Sequence, residues 1–423
     1  MKEPEEVFTP SSPNVNPVMY IHRPDREAEL VQAIKESKHL VLYGESGTGK
    51  SWLFKKVFAD SKVEYLNCNM ANASRFGSIA KELENTVDRE LENIHQATRT
   101  TSKKEGEATA DMKAKLPFLG RMGAAFRVLV SGEKQKEYRI VQKEPVERAF
   151  EFLHQKNKKS TNVLVFDNFE SIVGNTTLLE ELSNIILLLD DERYGKYRTK
   201  ILIVGTPVNI LYVIVSVAAS RPVARRIRQL DKLDPLSKDQ VRELLRKGFE
   251  EELGFDVPSL DDIVEHVMYL THGIPDRVHE YGLELAKLAK PSMAAVSTLF
   301  TATDQKWVAN NLADLYAIIQ SAMNARETEA GRRNQVIYAL GQLPGKEVKL
   351  SELEDIVRKK FPNSTSGKTL NMSLNLGDLM GRENPMITKN VSGDGYVFTD
   401  LKFKLCIRSV IVLEGEVVKI REF

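Results

Sequence analysis

Lys50 and Ser51 end the stretch Gly44-Glu45-Ser46-Gly47-Thr48-Gly49-Lys50-Ser51, which fits the spacing G-x-x-x-x-G-K-[ST] of a phosphate-binding loop. Each residue type has a task there. The glycines let backbone N–H groups wrap phosphate oxygens without a side chain in the way. Lys50 carries a point charge to the β- and γ-phosphates, and the Ser51 hydroxyl is a ligand for Mg2+. Asp167 ends a second apolar run, "TNVLVFDNFE" (161–170), where a carboxylate can also hold Mg2+. A third run, "KILIVGTP", ends in Thr206, with Asn209 close behind. Two readings stand for that tip: a polar group that senses a γ-phosphate, or an ordinary turn. The implied ligands are ATP and Mg2+.

These residues need elements to hold them. "HLVLYG" supplies a strand before the loop and "KSWLFKKVFA" a helix after it, whose N-terminus adds partial positive charge. Strands are expected at about 39–44, 63–67, 162–167, 200–205 and 227–232, alternating with helical patterns; this is the signature of an α/β fold with a parallel sheet. The long interval between the first and second motifs implies an inserted strand and several helices. Nucleoside-monophosphate kinases and GTPases organise this region differently, and no GTPase base-reading motif is present.

Composition excludes several classes. The chain has 423 residues, 42% hydrophobic and 28% charged, enough for two or three domains. A net charge of +1 gives no whole-chain field for nucleic acid or membrane. Cys68 and Cys406 stand far apart, which argues against a zinc site or disulfide framework. The acidic, proline-rich start "MKEPEEVFTPSSPNV" lacks the pattern of a signal peptide. Ile201–Ser220 is uncharged and long enough to span a bilayer, but Gly205, Thr206, Pro207 and Asn209 interrupt it. A strand, a turn and a buried helix are expected there, in a cytoplasmic protein without membrane contact.

The expected organisation is an N-terminal extension (1–19), a P-loop core (20–235) with an insert at about 86–145, a helical lid and linker (236–330), and a final domain (331–423). The insert begins helical, turns polar around 99–111 and alternates like a hairpin near 124–141. The final domain reads as helix, helix at "LSELEDIVRKKF", helix at "SGKTLNMSLNLGDLM", then strands "PMITKN" and "GYVFTD", a winged-helix order. Its third helix offers only Lys368 as a base, opposed by Asp378, with Arg382 and Lys389 flanking the wing. DNA contact and nucleotide-dependent packing against a partner both stand as readings.

The order of these motifs resembles the AAA+ and STAND P-loop ATPases, in the origin-recognition-like and archaeal-ATPase-like branch with a C-terminal winged-helix domain. "NPVMYIHRPDREAEL" (16–30), with Arg23 and Glu27, resembles the segment that lies beside the adenine in that branch. "RPVARRIRQLDKLDPLSKDQVRELL" (221–245) resembles its passage into the last strand and lid. "HGIPDRVHEYG" (272–282) carries Gly273-Ile274-Pro275, like the GxP motif of STAND proteins, and Arg277 falls where a sensor arginine is placed. "GYVFTDLKFKLCI" (395–407) resembles the end of the winged-helix domain.

That family has an acid directly after the second-motif aspartate; this chain has Asn168 there, and the next acid is Glu170. Either Glu170 is the general base, or hydrolysis is slow and binding is the main event. Arg221, Arg225, Arg226 and Arg228 form a cluster that reads as a solvated basic face or, through Arg225 or Arg226, as an arginine finger toward a neighbouring subunit. The resemblance thus implies an ATP-binding and ATP-hydrolysing regulatory protein whose nucleotide state switches conformation or assembly, in a multi-protein, defence-type system. An ATP-dependent DNA-binding adaptor, similar to initiators or transposition regulators, is the alternative. Self-association or a partner protein, and DNA, are the expected partners.

Overall fold

His39–Tyr43 is an apolar run one strand long, and it forms the strand on which the phosphate-binding loop is mounted. The computed structural model describes residues 2–104, 144–158, 160–206, 209–217, 221–289, 293, 296–324, 331–344, 347–390, 393 and 395–421. They divide into two compact units, His22–Asp234 and Met1–Ile21 together with Pro235–Phe423.

In the first unit the strands are β1 (His39–Tyr43), β2 (Tyr65–Asn69), β3 (Asn162–Asp167), β4 (Thr199–Gly205) and β5 (Ile227–Gln229). Among the described residues they make one five-stranded sheet in the order β2-β3-β4-β1-β5, every pairing parallel. The helices used below are α1 (Pro24–Lys35), α2 (Lys50–Ser61), α3 (Met70–Phe76), α4 (Ile79–Lys104), α5 (Pro145–Lys156), α6 (Thr176–Leu188), α7 (Ile210–Ser216) and α8 (Arg221–Ala224).

Alternate strand residues feed two cores. Leu40, Leu42, Val163, Val165, Leu202 and Val204 pack with Leu30 of α1 and Phe54 and Phe58 of α2. Val41, Leu164, Phe166, Ile201 and Ile203 pack on the other face with Leu83 of α4, Phe150 of α5 and Leu182 of α6. A parallel sheet buried on both faces explains why its strands read as unbroken apolar runs rather than alternating ones. The expected inserted strand is β2. The described part of the uncharged run from Ile201 holds the end of β4 and then α7, and among the described residues no helix is long and apolar enough to cross a membrane. The polar stretch expected from about 99 begins inside α4; the rest of the insert through 143, including the hairpin expected near 124–141, lies outside the described residues.

The second unit begins with residues that precede the sheet. A helical turn, Pro4–Val7, leads to Phe8, which is fully buried. Its ring sits against Gly248 and Gly282, and a β-carbon on Gly282 would stand 2.6 Å from it, so the slot exists because both positions lack side chains. Phe249 lies beside it at 5.0 Å between ring centroids. The following helices are α9 (Lys238–Arg246), continued by a π-helical stretch Lys247–Glu252, α10 (Leu260–Thr271), α11 (Pro275–Leu288), α12 (Phe300–Asn311) and α13 (Ala313–Ala322).

Then come α14 (Arg332–Gln342), β6 (Glu347–Val348), α15 (Leu350–Lys360), α16 (Met372–Met380), β7 (Ile387–Lys389) and β8 (Tyr396–Phe398). The strands pair antiparallel in the order β6-β8-β7. The third helix of this region starts at Met372, later than the sequence pattern suggests, because Gly367 and Asn371 both adopt positive φ. The chain closes with α17 (Lys402–Val410) and the hairpin β9 (Ile411–Glu414) and β10 (Val417–Ile420). Arg408 of α17 donates to the carbonyls of Gly341, Leu343 and Tyr269, satisfying the free ends of α14 and α10.

Candidate nucleotide site

The loop between β1 and α2 is shaped by its own hydrogen bonds. Thr48 is fully buried and its hydroxyl donates to the Glu45 carbonyl at 2.8 Å. Gly49 caps α2 at φ 88°, a conformation that costs a residue with a side chain about 1–2 kcal/mol. Ser46 is exposed at the loop's tip and Gly47 also takes a positive φ. Lys50 Nζ donates to the carbonyls of Gly44 at 2.9 Å and Glu45 at 2.8 Å. Burial lowers the Lys50 pKa, and the carboxylates of Glu170, Asp167 and Glu45 oppose that shift. The ammonium therefore stands in a shielded place among three acids.

The register of the sheet lines up the other tips beside it. Tyr43 pairs with Gly205 and Asn69 with Asp167, so the ends of β1, β4, β3 and β2 follow one another along one edge. Ser51 Oγ donates to Asp167 Oδ2 at 3.2 Å, placing both metal-ligand candidates at one point. Burial raises the Asp167 pKa, while hydrogen bonds from the Asn168 N–H and Ser51, and the charge of Lys55, act against it.

Asn168 and Glu170 part company. Asn168 has φ 60°, and this left-handed turn leads into a 3-10 helix, Phe169–Ile172. Its side chain donates to Asn69 Oδ1 at 3.1 Å. Glu170, two residues on, returns to the sheet edge, where its Oε2 accepts the Thr206 N–H at 3.1 Å. Thr206 thus meets Glu170 through its backbone.

Arg23 belongs to the same neighbourhood. Its N–H donates to Glu27 Oε1 at 2.8 Å, its Nη1 to the Asp234 carbonyl at 3.0 Å, and its Nη2 lies 3.9 Å from where a β-carbon on Gly49 would stand. In the arginine cluster, Arg226 is paired with Asp190 and donates to the Pro222 carbonyl, and Arg228 is paired with Glu36 and Glu29. Arg225 is exposed. Pro275 and Arg277 lie in the second unit. Pro275 opens α11; Arg277 is buried and ion-paired with Glu280, with Asp276 at 3.8 Å.

Two residues of the site escaped the sequence reading. Asn69 ends β2 just as Asp167 ends β3, and a polar residue after an apolar run was the available signal. Lys55 lies one helical turn beyond Ser51, the spacing that puts two side chains on one helix face.

The ATPase domain found predominantly in Archaea matches residues 24–281, more than half of the chain. Among solved structures, the Walker-type ATPase of Pyrococcus abyssi is similar over 95% of this chain and 99% of that one, with 16% identity and a TM-score of 0.53. The ORC2 protein of Aeropyrum pernix, in its ADPNP–ADP complexes, covers 96% and 97% at 13% identity and a TM-score of 0.46. Cdc6p of Pyrobaculum aerophilum covers 96% and 97% at 14% identity and 0.42. A comparison with curated proteins gave no match. The loop, the ordered strand tips and the family match agree: the chain belongs to the ATPase family found predominantly in Archaea, and its His22–Asp234 unit is a P-loop ATPase core.

Proposed function

We propose that this chain binds ATP with Mg2+ and hydrolyses it with Glu170 as general base, using the bound nucleotide as a conformational signal. The carrying observation is the hydrogen bond between Glu170 and the Thr206 N–H, with Asn168 turned instead toward Asn69. It supports Glu170 as the acid that compensates for the amide at 168.

On binding, Lys50 exchanges the carbonyls of Gly44 and Glu45 for phosphate oxygens. Ser51 and Asp167 are oxygen donors, the type Mg2+ takes, and a pair of protein ligands suits an ion that draws the rest of its shell from phosphates and water. The metal supplies neutralisation of the phosphate charge. Glu170 takes a proton from water as the water oxygen bonds the γ-phosphorus; the bond to the β,γ-bridging oxygen breaks and ADP leaves with that oxygen. Arg23 and the loop after β5 flank the adenine side, and Pro275 and Arg277 are the parts of the second unit that respond to nucleotide.

The three helices α14–α16 with the β6-β8-β7 sheet support reading 331–423 as a winged-helix domain. DNA binding through it is the second reading, favoured by the exposed cations Arg358, Lys359, Lys360 and Lys368 around the turn that leads to α16. Glu170→Gln tests the main reading. ATP affinity should hold while turnover drops about 10²–10⁴-fold, the usual worth of a positioned base. Wild-type turnover in Glu170→Gln would leave the chain a nucleotide-binding switch.

A further inference from the structure

α3 and α4 flank a groove of about 340 Å³, lined among others by Asn72, Arg75, Phe76, Glu82, Arg89 and Glu92. Glu82 is only 1% exposed. Its Oε1 is crowded, accepting from Asn72 Nδ2 at 3.3 Å, Thr86 Oγ1 at 3.2 Å and Arg89 Nη2 at 2.9 Å. Its Oε2 is buried and has no hydrogen-bond partner. A carboxylate oxygen is an acceptor only, and leaving one buried and unpaired is costly. At the rim, Phe76 is 42% exposed and already carries the Arg75 guanidinium over its ring at 5.0 Å.

We propose that this groove binds a cationic N–H donor, an ammonium or guanidinium group on an alkyl stem, which takes the free oxygen of Glu82 and lays its stem along Phe76. The unfilled position is an acceptor, which excludes an anion. An ionised donor makes the stronger hydrogen bond to a carboxylate, which favours it over a neutral amide. The volume is at the lower end of small-molecule pockets, room for one side-chain-sized group and little more. Because Oε2 is itself buried, a side chain must yield on entry. Arg89, 55% exposed and bonded to the same carboxylate, is the group with room to do so.

Such a cation can come free or on a polypeptide. Calorimetry on the full chain with N-acetyl-arginine methylamide, with spermidine and with a Gly/Ser hexapeptide holding one arginine separates the sources. Saturable binding of the small cations as tight as the peptide's assigns a small-ligand site, and a peptide at least about tenfold tighter assigns a polypeptide partner. Glu82→Gln replaces the acceptor by a donor of the same shape and should weaken binding at least about tenfold while ATP affinity is unchanged. Phe76→Ala, at an exposed position, should weaken it about two- to fivefold and decides the matter if Glu82→Gln does not fold. No saturable binding of any probe up to about 10 mM, or unchanged affinity in either folded variant, would overturn the assignment.

Discussion

The side chain of Asn168 donates to Asn69 across the ends of β3 and β2, 3.1 Å apart, and so points along the sheet edge rather than serving as a base. The left-handed backbone at 168 suits asparagine better than most residues. Asn168→Glu should therefore cost about 1–2 kcal/mol of stability and, with Glu170 as the proposed base, give no gain in turnover. Asn168→Gly should keep the backbone and lose only the contact to Asn69. Thermal melts with parallel phosphate-release assays check both; faster hydrolysis by Asn168→Glu would reassign the base.

Lys50→Ala removes the charge proposed to meet the β- and γ-phosphates. Nucleotide affinity by calorimetry should fall at least about tenfold, or ~1.4 kcal/mol. Because Lys50 is also spent on the carbonyls of Gly44 and Glu45, the loop itself should loosen, visible as faster amide exchange over 44–51.

Arg225 and Arg226 should behave differently although they are adjacent. Arg226 is tied to Asp190, so Arg226→Ala should lower stability by up to about 1 kcal/mol. Arg225→Ala, at an exposed site, should leave the melting temperature alone. If ATP is hydrolysed between neighbouring copies, Arg225→Ala should also be the variant whose turnover stops rising with protein concentration. Turnover independent of concentration in the wild type would remove the arginine-finger role.

Three histidines, His39 and His279 buried and His272 half-buried, set an acid limit. Burial pushes His39 and His279 down to about 4 and His272 to about 3, the last aided by Arg408 and Lys404. His279 must stay unprotonated at Nδ1, where it accepts the Thr9 N–H at 3.2 Å. In the unfolded chain these groups take up protons near pH 6.5, in the fold only near pH 4 for His39 and His279 and near pH 3 for His272. The unfolded state thus binds more protons within that window, and each histidine should cost up to about 1.4 kcal/mol for every pH unit lost from 6.5 downward, levelling off near 4 for His39 and His279 and lower for His272. Melting temperatures measured from pH 7.5 to 4 check this, and a flat profile would contradict it.

The loop, the strands and Asp167 were legible because each is local: a motif within eight residues, or an apolar run ending in a polar tip. Glu170 was legible as the nearest acid, but its route was not, since it depends on one left-handed residue at 168. Asn69 joins the site only through the β2–β3 register, a long-range fact that no window of sequence contains. The start of α16 was misplaced for a local reason, positive φ at Gly367 and Asn371, which composition alone does not disclose.

Phe8 has a consequence in time as well as in space. Thr9 and its partner His279 are 270 positions apart. At 5–20 residues per second, a ribosome needs roughly 15–50 s to make the distance between them. Throughout that interval the slot formed by Gly248 and Gly282 does not exist, and the nascent chain carries Val7 and Phe8 uncovered while His22–Asp234 already has every residue of its sheet. The segment around Phe8 is thus made early and buried late, and a chaperone that masks short aromatic stretches has its natural client there.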